Sequence, residues 1–154
     1  MKLKETGLNI DVKENNITST YKGKLVGTNV KTLPYPGFPT DVQSQMLSLL
    51  TIAEGSSVIT ETVFENRFRI VNDLMKMGAD IRVEDKAAFI TGVKSLKPSI
   101  VTATDLRGGM SLVLATLSAN GTSRVLDPTH IDRGYENYIG KIRSLGGEIE
   151  RKNS

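Results

Sequence analysis

Apolar and polar side chains alternate along residues 8–13 and again along 16–21, with Glu14-Asn15-Asn16 between them supplying turn chemistry. That pattern predicts a β-hairpin. A loop and a short strand follow over 22–31. Then comes TLPYPGFPTD, whose three prolines and one glycine lack the donors and the backbone freedom a helix interior needs, which predicts an ordered loop. The period then changes. Met46, Leu47, Leu49, Leu50 and Ala53 fall at helical spacing, predicting a helix over 41–53 with Gly55 as its stop. A strand is expected over 57–63, and a second helix over 69–77 with Ile70, Leu74 and Met77 on one face. Two strands, 80–84 and 87–92, form a hairpin across Asp85-Lys86. The series then restarts with a strand over 99–103, a helix over 105–119, a strand over 122–127, a helix over 134–145 and a strand over 147–151.

The restart is a repeat. GADIRVE from Gly78 matches GGEIERK from Gly146 and GLNIDVK from Gly7. Thr40-Asp41 matches Thr104-Asp105, Ala53-Glu54-Gly55 matches Ala119-Asn120-Gly121, and these last two copies are offset by 64 to 68 positions. Each copy reads strand, helix, strand, helix, strand, strand. Alternating strands and helices imply parallel strands joined by right-handed crossovers, and each closing hairpin is antiparallel, so the expected class is α/β with mixed sheets. The run Leu112, Val113, Leu114, Ala115, Leu117 is apolar around most of a helix circumference. Helices packed inside with sheets outside are therefore expected. The chain reads as a single domain over 1–154: residues 1–31 as the tail of a preceding unit, 32–97 as one full unit, and 98–154 as a unit lacking its last strand. That organisation suits a piece of a longer array.

A chain of 154 residues buries about 70% of its unfolded surface, enough for a real core. The absence of cysteine excludes disulfides, thiolate metal sites and cysteine nucleophiles within these residues, and a single histidine, His130, argues against a histidine-based metal centre. Neither a metal nor another cofactor is implied. A net charge of +3, 5% aromatic residues and no tryptophan give no basic stripe interleaved with stacking platforms, so no nucleic-acid partner is expected. No apolar run approaches the roughly 20 residues a membrane span needs, and the N-terminal MKLKETG has no apolar signal core. The expected location is cytoplasmic, with no membrane partner.

Each copy sets a Thr-Asp pair at a helix start, where the side chains serve as caps or the free amides receive an anion. Arg107 falls in the first turn of its helix, where a cation opposes the helix dipole, and an anion nearby would explain it. Arg133 in HIDRGYE and Arg67 in ENRF precede the second helices. Guanidinium groups grip phosphates and carboxylates two-pronged. The alternative for each is a surface ion pair with Asp105, Asp132, Glu65 or Glu136. His130 reads as a hydrogen-bonded loop residue. Gly108-Gly109 permits either a ligand or a second helix to approach the backbone closely.

The stretches PYPGFPTDVQSQ, EGSSVITETVFENRF, LMKMGADI, ATDLRGGMSLVLA, HIDRGYE and KIRSLGGEIER, in that order from about Gly7 to Arg151, resemble the UDP-N-acetylglucosamine enolpyruvyl transferase family. The resemblance implies two inside-out α/β domains, each of three βαβαββ units around buried helices, with this chain as the C-terminal part of the second. It implies transfer of the enolpyruvyl group of phosphoenolpyruvate to the 3-hydroxyl of UDP-N-acetylglucosamine, releasing phosphate, at the committed step of peptidoglycan precursor synthesis. By motif, Asp41 resembles the aspartate that takes the proton of the sugar hydroxyl. Val63 resembles the position whose backbone contacts the UDP-sugar, with Phe64 beside it. Arg107 and Arg133 resemble arginines lining the phosphoenolpyruvate region, Asp105 an acidic residue near the same cleft, and Arg67 a neighbouring basic residue. The family's proton-donor loop, its N-terminal lysine-asparagine motif and its first-domain arginines have no counterpart here. The isolated chain is therefore expected to be inactive, its functional partner being the N-terminal half of the enzyme. The alternative is a non-catalytic UDP-sugar-binding or regulatory domain of the same fold. Self-association through exposed edges is also expected.

Overall fold

The computed structural model describes residues 2–152. After a one-turn helix α1 (Lys2–Glu5), strands β1 (Asn9–Lys13) and β2 (Asn16–Thr20) form the antiparallel hairpin, with Lys13 opposite Asn16 at the turn. Ile10 is the one buried residue of the two strands, so this hairpin lies on the surface.

Next, β3 (Val30–Lys31), α2 (Gln43–Leu50) and β4 (Ser56–Thr60) make a crossover unit whose strands pair in parallel. Helix α3 (Val71–Lys76) leads into the hairpin β5 (Asp80–Glu84) and β6 (Ala87–Thr91). Strand β6 inserts between β4 and β5, antiparallel to both, giving a mixed sheet of order β3-β4-β6-β5. The plan repeats in β7 (Ile100–Thr102), α4 (Leu106–Leu117) and β8 (Arg124–Leu126), again with parallel strands. Short helices α5 (Thr129–Asp132) and α6 (Tyr138–Ser144) follow.

Helices α2 and α4 form the inside. Leu47, Leu50 and Leu112 are fully buried, and Ser48 Oγ donates to the Ser111 carbonyl at 2.9 Å across the helix pair. The sheets lie outside as three separate ladders, with no closed barrel among the described residues. The glycine pair of α4 has a packing role. A Cβ on Gly108 would stand 2.7 Å from Ile70 Cγ2, and one on Gly109 2.8 Å from both Ala103 Cβ and Ile131 Cγ1. Neighbouring side chains fill those spaces, so it is close packing and not ligand approach that excludes a side chain there.

Two expectations fail in the second copy. The helix expected over 134–145 is shorter, running only over Tyr138–Ser144, and an unexpected one-turn helix precedes it. Asp127, at φ 53°, turns the chain into Pro128 and α5, and Asn137, at φ 46°, reverses it again before α6. The strand expected over 147–151 does not form. Its counterpart β5 is held in its sheet by β6 alone, and the described residues include no such partner beside 147–151. This segment is fastened by side chains instead: Arg143 Nε donates to the Ile149 carbonyl at 2.7 Å, and Arg151 Nη2 to both carboxylate oxygens of Asp132 at 2.7 and 2.8 Å.

Candidate functional site

The two Thr-Asp pairs are matched in sequence and used differently. Asp105 caps α4, its Oδ1 accepting the amides of Arg107 at 2.9 Å and Gly108 at 2.8 Å. Thr40 and Asp41 do not cap α2. They lie inside a 3-10 turn (Thr40–Val42) entered from extended Pro39, and Val42, which precedes α2, offers no side-chain cap. Thr40 Oγ1 donates instead to Glu61 Oε2 at 2.9 Å. Asp41 Oδ1 accepts from Arg107 Nε at 2.5 Å, and Arg67 Nη2 lies 3.8 Å from the same oxygen. The arginine in the first turn of one buried helix thus reaches the acid at the entrance to the other.

Arg67 comes from the turn after β4, where Asn66 takes a left-handed φ of 60°. Its side chain is only 14% exposed and its guanidinium lies 4.5 Å from the centroid of the Phe64 ring, a cation–π contact. Its Nε is buried with no hydrogen-bond partner among the described residues. Phe64, Asn66, Arg67, Arg69, Asp105 and Arg107 line an open hollow of about 320 Å³. Three guanidiniums line it together with the carboxylates of Asp105 and Glu65, and Asp41 pairs with two of them, those of Arg67 and Arg107. Asp41 is 62% exposed, so its ion pair is open to water and of modest strength. An entering anion competes for the same guanidiniums.

The residue that sequence reasoning missed is Glu61. It is 3% exposed, yet no cation pairs with it among the described residues. Its Oε1 accepts from Thr32 Oγ1 at 2.8 Å and from the amides of Val63 and Phe64 at 2.8 and 3.0 Å, while Oε2 takes Thr40. Burial pushes its carboxyl upward, but the hydrogen bonds from Phe64, Thr32, Val63 and Thr40 outweigh it and hold the group below the ordinary glutamate value of 4.5. A depressed carboxyl contributes stability that is complete above 4.5 and lost as pH falls through the lower folded value. The melting temperature should therefore drop as pH falls below 4.5, and Glu61→Gln should flatten part of that drop. Identical pH profiles for the two proteins would contradict the assignment.

Of the other expected site residues, Val63 and Phe64 are exposed on the loop after Glu61. With the Val63 amide engaged by Glu61, any backbone contact from residue 63 to a ligand falls to its carbonyl. Arg133 does not line the hollow. It ends α5, exposed, with no ion pair among the described residues. The chain just after it does approach the site: a Cβ on Gly134 would stand 2.9 Å from Leu106, and the Tyr135 hydroxyl accepts from Gln45 Nε2 at 2.7 Å. The arginine partners considered from sequence are also corrected, since Arg67 and Arg107 both meet Asp41, while Asp132 is taken by Arg151 and Glu136 by Lys141. His130 sits exposed on α5, not in a loop, and makes no side-chain hydrogen bond among the described residues. Among those residues no cluster of three His, Cys, Asp or Glu could hold a metal, and no helix is long and apolar enough to cross a membrane.

Two buried helices ringed by mixed sheets, with arginines gathered at the helix starts, define a class of protein. The model of the EPSP synthase (3-phosphoshikimate 1-carboxyvinyltransferase) family matches residues 1–142, and the chain belongs to that family. Within it the chain is similar to UDP-N-acetylglucosamine 1-carboxyvinyltransferases. It is 53% identical over 152 residues to enzyme 2 of that name from Carboxydothermus hydrogenoformans and 51% identical over 152 residues to the Finegoldia magna protein, 97% of this chain being covered in each case. The chain spans 36% of the length of these curated relatives. Among solved structures, the enolpyruvyl transferase NikO from Streptomyces tendae superposes with a TM-score of 0.87 at 28% identity, over 97% of this chain and 35% of that one. EPSP synthase from Acinetobacter baumannii shares the fold, with a TM-score of 0.68 at 18% identity over 97% of this chain and 36% of that one.

Proposed function

We propose that this chain forms one wall of the active site of a cytoplasmic enzyme that transfers the enolpyruvyl group of phosphoenolpyruvate to the 3-hydroxyl of UDP-N-acetylglucosamine and releases phosphate, in peptidoglycan precursor synthesis. The observation that carries this reading is the meeting of Asp41, Arg107 and Arg67 at one hollow. A carboxylate beside guanidiniums suits a reaction that joins a hydroxyl to an anionic ester. Asp41 accepts the hydroxyl proton as oxygen bonds to the central enol carbon and the methylene carbon takes a proton. Loss of a methyl proton then restores the double bond as the carbon–oxygen bond to phosphate breaks and phosphate leaves. Arg107 and Arg67 hold the phosphate, and Arg133, which ends α5 outside the hollow, would swing inward to add its charge once the anion is bound. Arg107 engages only Asp41 Oδ1, through Nε, which leaves the second carboxylate oxygen for the sugar hydroxyl. Asp105 fixes the direction of α4 and so of Arg107. The Val63 carbonyl and the Phe64 ring receive the nucleotide sugar. The proton for the phosphoenolpyruvate methylene and the opposite wall come from a partner portion of the enzyme outside these residues. On the same reading, residues 1–31 are the tail of one βαβαββ unit, 32–97 a whole unit, and 98–154 a unit short of its last strand.

Titrating the isotope-labelled chain with UDP-N-acetylglucosamine should shift amides clustered around Asp41, Val63 and Arg107, and Asp41→Ala should weaken those shifts about tenfold, the effect of one charge-assisted hydrogen bond. Shifts scattered over the outer sheets would defeat the proposal. With both substrates the isolated chain should release no phosphate above background, because positioning and charge stabilisation are the larger part of catalysis and half of both is missing. Turnover by the chain alone would overturn the division of labour. Val12 and Ile17, 58% and 63% exposed on the β1–β2 hairpin, should also drive self-association, visible as a concentration-dependent mass in light scattering.

A further inference from the structure

We infer that Glu61 is a positioning residue that sets the spacing between the proton acceptor and the sugar-facing loop, an inference that rests on the proposed reading of the site. Three separate stretches of chain converge on its carboxylate. Thr32 follows β3, Thr40 directly precedes Asp41, and Val63 with Phe64 forms the exposed loop. Thr32 is also stitched to the same loop on its own account: its Oγ1 accepts the Thr62 amide at 2.8 Å, and its carbonyl accepts Thr62 Oγ1 at 2.5 Å.

Geometry makes this more than a buried polar contact. Oε1 gathers the loop and Thr32, while Oε2 holds the residue next to Asp41, so the two ends of one carboxylate hold the two sides of the site. Phe64, fixed from below by its amide, carries the Arg67 guanidinium on its ring, and Arg67 in turn lies 3.8 Å from Asp41. A closed circuit results, from Asp41 through Thr40, Glu61, Phe64 and Arg67 back to Asp41. Among the described residues no cation pairs with Glu61, so its charge is met there by hydrogen-bond donors, and these come from the segments it holds. An uncompensated buried carboxylate is costly, and that cost ties all four donors in place.

Substitution separates position from mere packing. In Glu61→Gln the amide oxygen keeps the three Oε1 partners, and the amide nitrogen donates to Thr40 Oγ1 in place of accepting from it, so the circuit survives. In Glu61→Ala it is cut. The experiment is UDP-N-acetylglucosamine titration of the wild-type chain, both variants and the core truncation Ile90→Val, followed by amide shifts, with hydrogen exchange measured on the free proteins. Affinity should fall about tenfold in Glu61→Ala and stay within about threefold of wild type in Glu61→Gln and Ile90→Val. Exchange should quicken at Val63 and Phe64 in Glu61→Ala alone. Wild-type affinity in Glu61→Ala, or an equal loss in Ile90→Val, would overturn the role. Should Glu61→Ala fail to fold, the Glu61→Gln and Thr40→Val variants decide it: retained binding in the first with weakened binding in the second supports the circuit, and any other pairing defeats it. If the wild-type chain binds no nucleotide sugar, the ligand reading falls and the circuit is judged on the free spectra. Linked shifts at Thr32, Thr40, Asp41, Val63 and Phe64 on removing Glu61 uphold it, and shifts confined to 61–64 refute it.

Discussion

Gly92→Ala is expected to leave the chain unfolded or close to it. A Cβ at this position would stand 1.6 Å from the Ala53 carbonyl oxygen and 2.6 Å from its carbon, both backbone atoms with no rotamer to turn away. The region cannot slide apart cheaply, since the Gly92 amide donates to Gly55 at 2.9 Å and the Val93 amide to Thr51 at 2.7 Å, fastening the end of β6 to the chain leaving α2. Overpacking against mobile side chains costs about 1–3 kcal/mol, and a backbone obstacle puts this case at or above the top of that range. Such a loss is a large part of the roughly 5–15 kcal/mol that holds a typical domain together. Gly146→Ala is the matched comparison. Gly146 has φ 89° with no atom within 4 Å of a Cβ, so only backbone strain of about 1 kcal/mol applies. Urea unfolding followed by circular dichroism should rank Gly92→Ala far below Gly146→Ala. Equal midpoints would show that the chain at Ala53 yields.

Arg107→Ala carries the largest expected effect on binding. Its Nε holds Asp41, which leaves both terminal nitrogens for an anion, so on the proposed reading one side chain would touch the acid and the phosphate together. Removing it deletes a two-pronged charged contact and leaves Asp41 with Arg67 alone at 3.8 Å. Inorganic phosphate affinity, measured by phosphorus NMR at constant ionic strength, should fall about thirtyfold, corresponding to about 2 kcal/mol. Arg107→Lys should recover little of this, because an ammonium cannot bond the carboxylate and fork onto a phosphate at once. Phosphate binding unchanged in Arg107→Ala would remove the anion from this hollow.

What could be read in advance followed from local chemistry. Both hairpins were legible because period-two alternation flanks turn residues, and α2 and α4 because apolar residues recur at helical spacing. The left-handed residue Asn137 delays the helix expected over 134–145 until Tyr138, a feature that apolar periodicity does not register. The strand over 147–151 failed because a ladder needs a neighbour, which its own residues cannot announce. At the site, the arginines were visible by type and place, but their shared partner was not, since Asp41 and Arg107 are far apart in sequence and meet only through helix packing. Glu61 left a signal that went unused. Ser57 and Ile59 are the buried positions of β4, and Glu61 continues the same phase. A glutamate in an inward register has to be satisfied from within.

The unequal use of the two Thr-Asp pairs bears on stoichiometry. One aspartate is committed to capping a helix and the other is exposed beside two cations, so on the proposed reading the internal duplication supplies one proton-accepting aspartate and not two. Calorimetric titration with the nucleotide sugar should accordingly saturate at one equivalent per chain.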